Sequence, residues 1–163
     1  MEIIYKEGNL LDSQAQVIGH QVNAMATMGS GVAKYVREKY PKAWEDYKNL
    51  SPEKIFGKCQ IVRVEDGKYI ANLGGQYYYS GYHGIDWKSN NAPDNGRFTN
   101  YEALYRSLEE LHDAIKRTDG NINSIAFPYF LGCGRGGGDW DIVLVMITKI
   151  FSDLPGTIEI WKL

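Results

Sequence analysis

Cysteine is scarce in this chain. Cys59 and Cys133 are the only two among 163 residues and form no CxxC pair, so neither a disulfide framework nor a structural zinc site is expected. Charge of one sign is lacking as well. The 18 basic and 20 acidic side chains leave a net charge of −2 with a pI near 5.9, which withholds the basic field that strong nucleic-acid binding uses. No apolar run reaches the ~18 residues of a membrane span, and Met1-Glu2-Ile3-Ile4-Tyr5-Lys6 reads as a strand rather than a signal peptide. The pattern G-x-x-x-x-G-K-[ST] is absent, which excludes a P-loop. These absences set the expectation of a cytoplasmic protein, monomeric, away from membranes, with no metal and no cofactor.

What remains is the composition of an ordinary globular domain, 44% hydrophobic and 23% charged. A domain of this size buries about 70% of its unfolded surface, and one domain over residues 1–163 is expected. Short apolar strands are indicated at Ile3–Lys6 and Gln16–Val22. Ser30 is placed to cap a helix through Tyr40, with Val32, Ala33, Val36 and Tyr40 on its buried stripe. Pro41 stops that helix and opens another, to Leu50. Cys59–Val64 and Lys68–Leu73 flank Glu65-Asp66-Gly67, a hairpin signal. Residues 74–97 form a long, tyrosine-rich stretch without periodicity, and loops of that length are commonly functional. The capping box Thr99-Asn100-Tyr101-Glu102 starts the clearest helix, in which Leu104, Leu108, Leu111 and Ile115 recur at helical spacing. A buried strand at Asn121–Phe127, a helix capped by Asp139 and a final strand from Thr157 complete the reading. Alternating strands and helices with one hairpin predict an α/β fold, a mixed sheet with helices on both faces.

Two glycine-bearing loops carry the functional signal. One runs from the end of the second strand, His20-Gln21-Val22-Asn23-Ala24-Met25-Ala26-Thr27-Met28-Gly29-Ser30-Gly31-Val32-Ala33, and the other is Pro128-Tyr129-Phe130-Leu131-Gly132-Cys133-Gly134-Arg135-Gly136-Gly137-Gly138-Asp139-Trp140. Glycine lets the backbone approach a ligand closely, and main-chain N–H groups at a helix start bind anions. Two such loops point to a diphosphate held from both sides. The second also satisfies G-x-G-x-x-G, but it lies too near the C-terminal end for a second βαβ half to follow, so a dinucleotide fold is not indicated. His20 ends an apolar strand three residues before Asn23, and with an ordinary pKa near 6.5 it is the candidate acid, base or nucleophile. A buried histidine bonded to its surroundings is the competing reading, as a plain turn is for Asn23. Arg135 is placed to clamp a phosphate or to be solvated. Cys133 is read as a packing side chain. His83 and Asp86 are read as solvated, and His112 as structural. Trp44, Trp87, Trp140 and Trp161 are read as core or rim packing.

The run of motifs resembles the macrodomain family, in order from residue 2 to residue 163. Gly8-Asn9-Leu10 sits where macrodomains carry G-D-[IL]. His20-x-x-Asn23, Gly29-Ser30-Gly31-Val32-Ala33 and Lys39-Tyr40-Pro41-Lys42-Ala43 resemble the branch that processes ADP-ribose 1″-phosphate. Asn72-Leu73-Gly74-Gly75-Gln76, Tyr101-Glu102-Ala103-Leu104, Gly132-Cys133-Gly134 with Gly136-Gly137 and Trp140, and Ile160-Trp161-Lys162-Leu163 match further elements. The resemblance implies a three-layer α/β/α fold with an ADP-ribose cleft at the strand ends. It places Gly8, Asn9 and Leu10 at adenine. It sets Met28–Val32 and Gly132–Gly137 over the diphosphate and distal ribose, with Asn23 on that ribose and His20 as the catalytic residue. The implied activity is hydrolysis of ADP-ribose 1″-phosphate to ADP-ribose and phosphate. The alternatives are a non-catalytic ADP-ribose reader, a hydrolase that removes ADP-ribose from protein or nucleic acid, or a generic mononucleotide-binding protein. Two departures bear on activity: Asn9 replaces the family's aspartate, and Gly136 stands where the glutamate-deADP-ribosylating branch has aspartate. Together with the long 74–97 segment, the second argues against lysine-based removal of ADP-ribose from glutamate.

Overall fold

A computed structural model describes residues 1–86, 88–89 and 91–163. Six strands form one sheet: β1 (Glu2–Glu7), β2 (Val17–Asn23), β3 (Cys59–Arg63), β4 (Tyr69–Gln76), β5 (Ser124–Pro128) and β6 (Thr157–Lys162). Their spatial order is β1-β6-β5-β2-β4-β3, with every pairing parallel except β3 with β4. The antiparallel pair is the hairpin expected around Glu65-Asp66-Gly67, and Gly67 takes the positive φ (86°) that its turn requires. The helices are α1 (Gly31–Lys39), α2 (Pro41–Glu45), α3 (Pro52–Ile55), α4 (Tyr101–Lys116) and α5 (Trp140–Ile150). The mixed sheet with helices is the expected three-layer α/β/α fold.

Side-chain alternation along β2 shows why both faces are covered. Val17 joins the cluster made with Leu104, Leu108 and Leu111 of α4 and Val143 and Ile147 of α5. Ile18 joins the opposite cluster, with Val36 of α1 and Ala43 of α2. A third cluster, comprising Val22, Ala24, Met28, Tyr47 and Ile55, packs under the loop that follows β2. Burying each large aliphatic side chain contributes roughly 1.5–3 kcal/mol, so these layers hold the strand ends, and the loops leaving them, in fixed relation.

Several elements differ from the sequence reading. The helix opened by Pro41 ends at Glu45. Val32 is exposed (37%) while Val36 and Tyr40 are buried, because Val32 lies in the first turn of α1, above the sheet end. Asn100, not Thr99, caps α4, its side chain accepting the Ala103 N–H at 2.9 Å. β4 runs to Gln76, so the first three residues of the 74–97 segment belong to the sheet. Trp44, Trp140 and Trp161 pack against the clusters as expected, and Trp87 lies outside the described residues. No helix among the described residues is long and apolar enough to cross a membrane.

Candidate functional site

β2, β4 and β5 lie side by side, and the loops that leave their C-terminal ends enclose a cavity of about 660 Å³. That is the volume of a typical small-molecule site, at the place where α/β sheets present ligands. His20, Gln21, Val22 and Asn23 of β2 line it. So do Thr27 and Gly29–Ala33 from the first loop and α1, Gln76, Tyr79 and Ser80 beyond β4, Phe98, and Pro128–Gly132 with Gly134, Arg135 and Gly136 of the second loop. The structure thus brings together His20, Asn23, Gly29, Ser30, Gly31, Val32, Gly132, Gly134, Arg135 and Gly136 from the sequence candidates.

Six candidates are not among the lining residues. Gly8 packs on the Trp161 ring, where an added Cβ would sit 3.3 Å away. Asn9 spends its carboxamide oxygen on the Leu11 N–H at 2.9 Å, and Leu10 is buried in the α1/α2 cluster. Cys133 turns away, its thiol donating to the Leu131 carbonyl at 3.3 Å. Gly137 supplies a positive-φ turn (77°) against Arg97. Met28 is 1% exposed and anchors the third cluster, so only its neighbours reach the cavity.

His20 is 1% exposed, and burial pulls its pKa down from 6.5 to about 4 against the opposing pull of its hydrogen bond to Asn72. Nε2 lies 2.6 Å from Asn72 Oδ1. The orientation of that amide is fixed by α2. Asn72 Nδ2 donates to the Ala43 carbonyl (3.2 Å) and to Gln60 Oε1 (3.1 Å), and Gln60 Nε2 donates to the Asp46 carbonyl (2.8 Å). Two main-chain carbonyls, which only accept, leave Asn72 Oδ1 as an acceptor. His20 therefore carries its proton on Nε2, and Nδ1 holds a bare lone pair with no protein partner. The ring is a neutral acceptor at neutral pH.

Asn23 is committed to its own loop. Its Oδ1 accepts the N–H groups of Met25 (3.1 Å) and Thr27 (3.3 Å), while Nδ2 donates to the carbonyl and hydroxyl of Thr27 (3.0 Å each). Tyr47 donates its hydroxyl to the Asn23 carbonyl. The residue staples residues 23–27 into one shape.

The two glycine loops work differently. Ser30 precedes α1 and makes no side-chain cap bond, so the first N–H groups of α1 stand without intrahelical partners beside the cavity, with the positive end of the helix dipole. The second loop does not deliver a helix terminus: α5 is capped by Asp139, which accepts the Asp141 N–H at 2.9 Å. That loop is instead pinned from below. Thr99 donates its hydroxyl to the Gly132 carbonyl (2.6 Å) and accepts from Gln21 Nε2 (2.8 Å), and the N–H groups of Phe98 and Thr99 reach the Gly136 carbonyl at 3.0 and 2.9 Å. A Cβ on Gly136 would lie 2.3 Å from Thr99 Oγ1, whereas at Gly29, Gly31 and Gly134 an added Cβ meets nothing within 4 Å. Sequence reasoning missed Gln21, Gln76 and Thr99; the match of Asn72-Leu73-Gly74-Gly75-Gln76 was the available signal for Gln76, and Thr99 was misassigned as a cap.

The remaining titratable candidates lie apart. His112 bridges Asp113 and Asp153 at 2.9 and 2.7 Å on the surface, and His83 and Asp86 do not line the cavity. Burial, and then the charge of Asp139, push the Cys133 thiol up to about 11, so it is not an activated nucleophile. Among the described residues, no group of three or more His, Cys, Asp or Glu is placed to hold a metal ion.

Comparison with known proteins agrees with this architecture. No protein-family model matches the chain. A DNA ADP-ribosyl glycohydrolase of Mycobacterium tuberculosis is 27% identical over 158 residues, 94% of this chain and 40% of that protein. The solved macrodomain of Mycobacterium tuberculosis DarG is 26% identical with a TM-score of 0.76, covering 98% of this chain and 96% of that one. Thermosipho africanus DarTG, solved in complex with ADP-ribose, matches in fold with a TM-score of 0.76 at 21% identity, over 99% of this chain and 42% of that one. The sheet order, the strand-end cavity and these likenesses define the class: the chain has the macrodomain fold. It spans 40% of the length of the curated relatives it matches.

Proposed function

We propose that this macrodomain binds ADP-ribose between its two glycine loops and hydrolyses the bond joining ADP-ribose to a nucleic-acid base. The observation that supports it is the open strand-end cavity in a chain similar, over 94% of its length, to a DNA ADP-ribosyl glycohydrolase. In this reading the N–H groups at the start of α1 and the side chain of Arg135 hold the diphosphate. Gly29, Gly31 and Gly134 keep the approach clear, and His20 and Asn23 border the distal ribose. His20 Nδ1 accepts a hydrogen bond from the attacking water. The C1″–base bond breaks, the water's hydroxyl ends on C1″, and its proton ends on the departing base. A pKa near 4 makes His20 an orienting acceptor rather than a strong base, and the loop amides supply the electrostatic stabilisation.

Hydrolysis of ADP-ribose 1″-phosphate, with His20 in the same place, is the competing use of the cavity, favoured by the spacing His20-x-x-Asn23. One assay separates them. The protein is incubated with an oligonucleotide ADP-ribosylated on a base and, separately, with ADP-ribose 1″-phosphate, and products are followed by mass spectrometry. The proposal expects free ADP-ribose from the oligonucleotide, at a rate at least tenfold lower for His20→Gln. Phosphate release from the second substrate with none from the first refutes it in favour of the phosphatase.

A further inference from the structure

The tyrosine-rich segment beyond β4 is the part of the cavity wall that the proposed chemistry leaves unused. Residues 77–83 carry five rings, those of Tyr77, Tyr78, Tyr79, Tyr82 and His83. The four tyrosines are half-buried and His83 is exposed. The rings form a connected ladder. Tyr77 meets Phe56 and Tyr78 edge-on, with centroids 5.4 and 4.9 Å apart, and Tyr78 stacks on Tyr82 at 4.9 Å with planes at 20°. Tyr82 in turn meets Tyr79 and His83 edge-on at 5.4 and 4.2 Å. The ladder is also tied to the sheet. The Ala24 N–H donates to the Tyr77 carbonyl at 2.9 Å, and Gln76 Nε2 donates to the Tyr78 carbonyl at 2.8 Å. Gln76 Oε1 accepts from Gln21 Nε2 at 2.8 Å, which links the segment to β2. So many partly exposed rings on an anchored backbone mark a surface that meets a partner.

Register places the ladder along the cavity. Across β2 and β4, His20 pairs with Asn72 and Asn23 with Gln76. Tyr79 follows Gln76 by three residues and lines the same cavity. The segment therefore leaves the sheet next to the strand that carries His20 and Asn23, the residues that border the distal ribose in the reading above. What is joined to C1″ emerges at that end. Among the described residues no ring lies parallel on Tyr79, whose one ring contact, with Tyr82, has planes at 78°, so a flat group can lie against it. Charge narrows the choice of group. With a net charge of −2 the chain has no basic field to grip a phosphate backbone, whereas stacking on an aromatic side chain holds any nucleobase by its π-face. We infer that Tyr79, braced by Tyr82 and Tyr78, stacks on the nucleobase joined to C1″ of ADP-ribose, so that residues 77–83 select a nucleic-acid leaving group. The inference rests on the proposed reaction.

The test is steady-state release of ADP-ribose from a single-stranded oligonucleotide ADP-ribosylated on a base, for wild type, Tyr79→Ala and Tyr79→Phe. Affinity for free ADP-ribose is measured in parallel by calorimetry. Base–aromatic stacking predicts a KM about tenfold or more higher for Tyr79→Ala, and a return to within about threefold of wild type for Tyr79→Phe. Free ADP-ribose lacks the leaving base, so its affinity should stay within about twofold of wild type in both variants. A Tyr79→Ala KM within about twofold of wild type overturns this inference and leaves the proposed reaction standing. So does an equal loss of ADP-ribose affinity, which would make Tyr79 a prop of the fold or of the ADP-ribose wall. A rise in KM that Tyr79→Phe does not repair overturns the stacking contact in favour of the hydroxyl. Absence of release from the oligonucleotide by wild type overturns the proposed reaction and this inference together.

Discussion

Acidification interrogates His20 directly. The folded protein holds the ring neutral down to a pKa of about 4, because burial disfavours the imidazolium, whereas the unfolded chain takes up the proton near 6.5. Between those values the unfolded state binds more protons than the native state, so stability falls as pH falls. The contribution is intact above pH 6.5 and fully lost below about 4. The whole span is about 3 kcal/mol at about 1.4 kcal/mol per pKa unit, and about 2 kcal/mol of it falls between pH 7 and pH 5. His20→Gln keeps a donor for Asn72 Oδ1 and does not titrate. Urea unfolding of both proteins at pH 7, 6 and 5 should therefore show the wild-type midpoint dropping by about 1 M relative to the variant, for a slope of about 2 kcal/mol/M. The comparison cancels His112. Burial pulls the His112 pKa down, but its hydrogen bonds and charge contacts with Asp113 and Asp153 outweigh that and raise it. Its contribution accordingly has the opposite sign and is lost as pH rises. Parallel midpoints for wild type and His20→Gln across this range would refute the buried neutral ring and the tautomer assigned to it.

Three further outcomes are expected. Gly136→Ala forces a Cβ against Thr99 Oγ1 and the Gly132 carbonyl and should destabilise by about 1–3 kcal/mol in urea unfolding, whereas Gly134→Val should cost under about 1 kcal/mol and lower ADP-ribose affinity about tenfold by calorimetry. Thr99→Val leaves the Gly132 carbonyl and the Gln21 amide without their partner; a loss of about 1–3 kcal/mol, largely recovered by Thr99→Ser, should appear in the same unfolding measurement. Cys133, with a pKa near 11, should react with iodoacetamide at pH 8 about a hundredfold more slowly than a free thiol, as followed by mass spectrometry.

Much of the architecture was legible because its signals are local. The leucines of α4, the Asp139 cap of α5 and the Glu65-Asp66-Gly67 turn each act over a few residues. The misreadings share a cause, which is that contact between distant segments decides them. Thr99 looks like a cap until the Gly132 carbonyl and Gln21, 33 and 78 residues away, claim its hydroxyl. Met28 sits in a loop sequence, yet Tyr47 and Ile55 close over it. His20 stands out in the sequence, but its protonation state is dictated by the carbonyls of Ala43 and Asp46 through Asn72 and Gln60, which spacing along the chain does not reveal.

The strand order has a bearing on how this protein behaves at high concentration. Only β1 and β3 lie at the rims of the sheet, where unpaired main-chain groups invite another chain to zip on. Glu2, Lys6 and Glu7 put charge along the first rim. At the second, Glu110 occupies the Cys59 N–H at 2.8 Å, and Arg63 adds a solvent-exposed cation. Both borders are thereby discouraged from templating intermolecular sheets, which favours colloidal stability without help from the cavity or its loops.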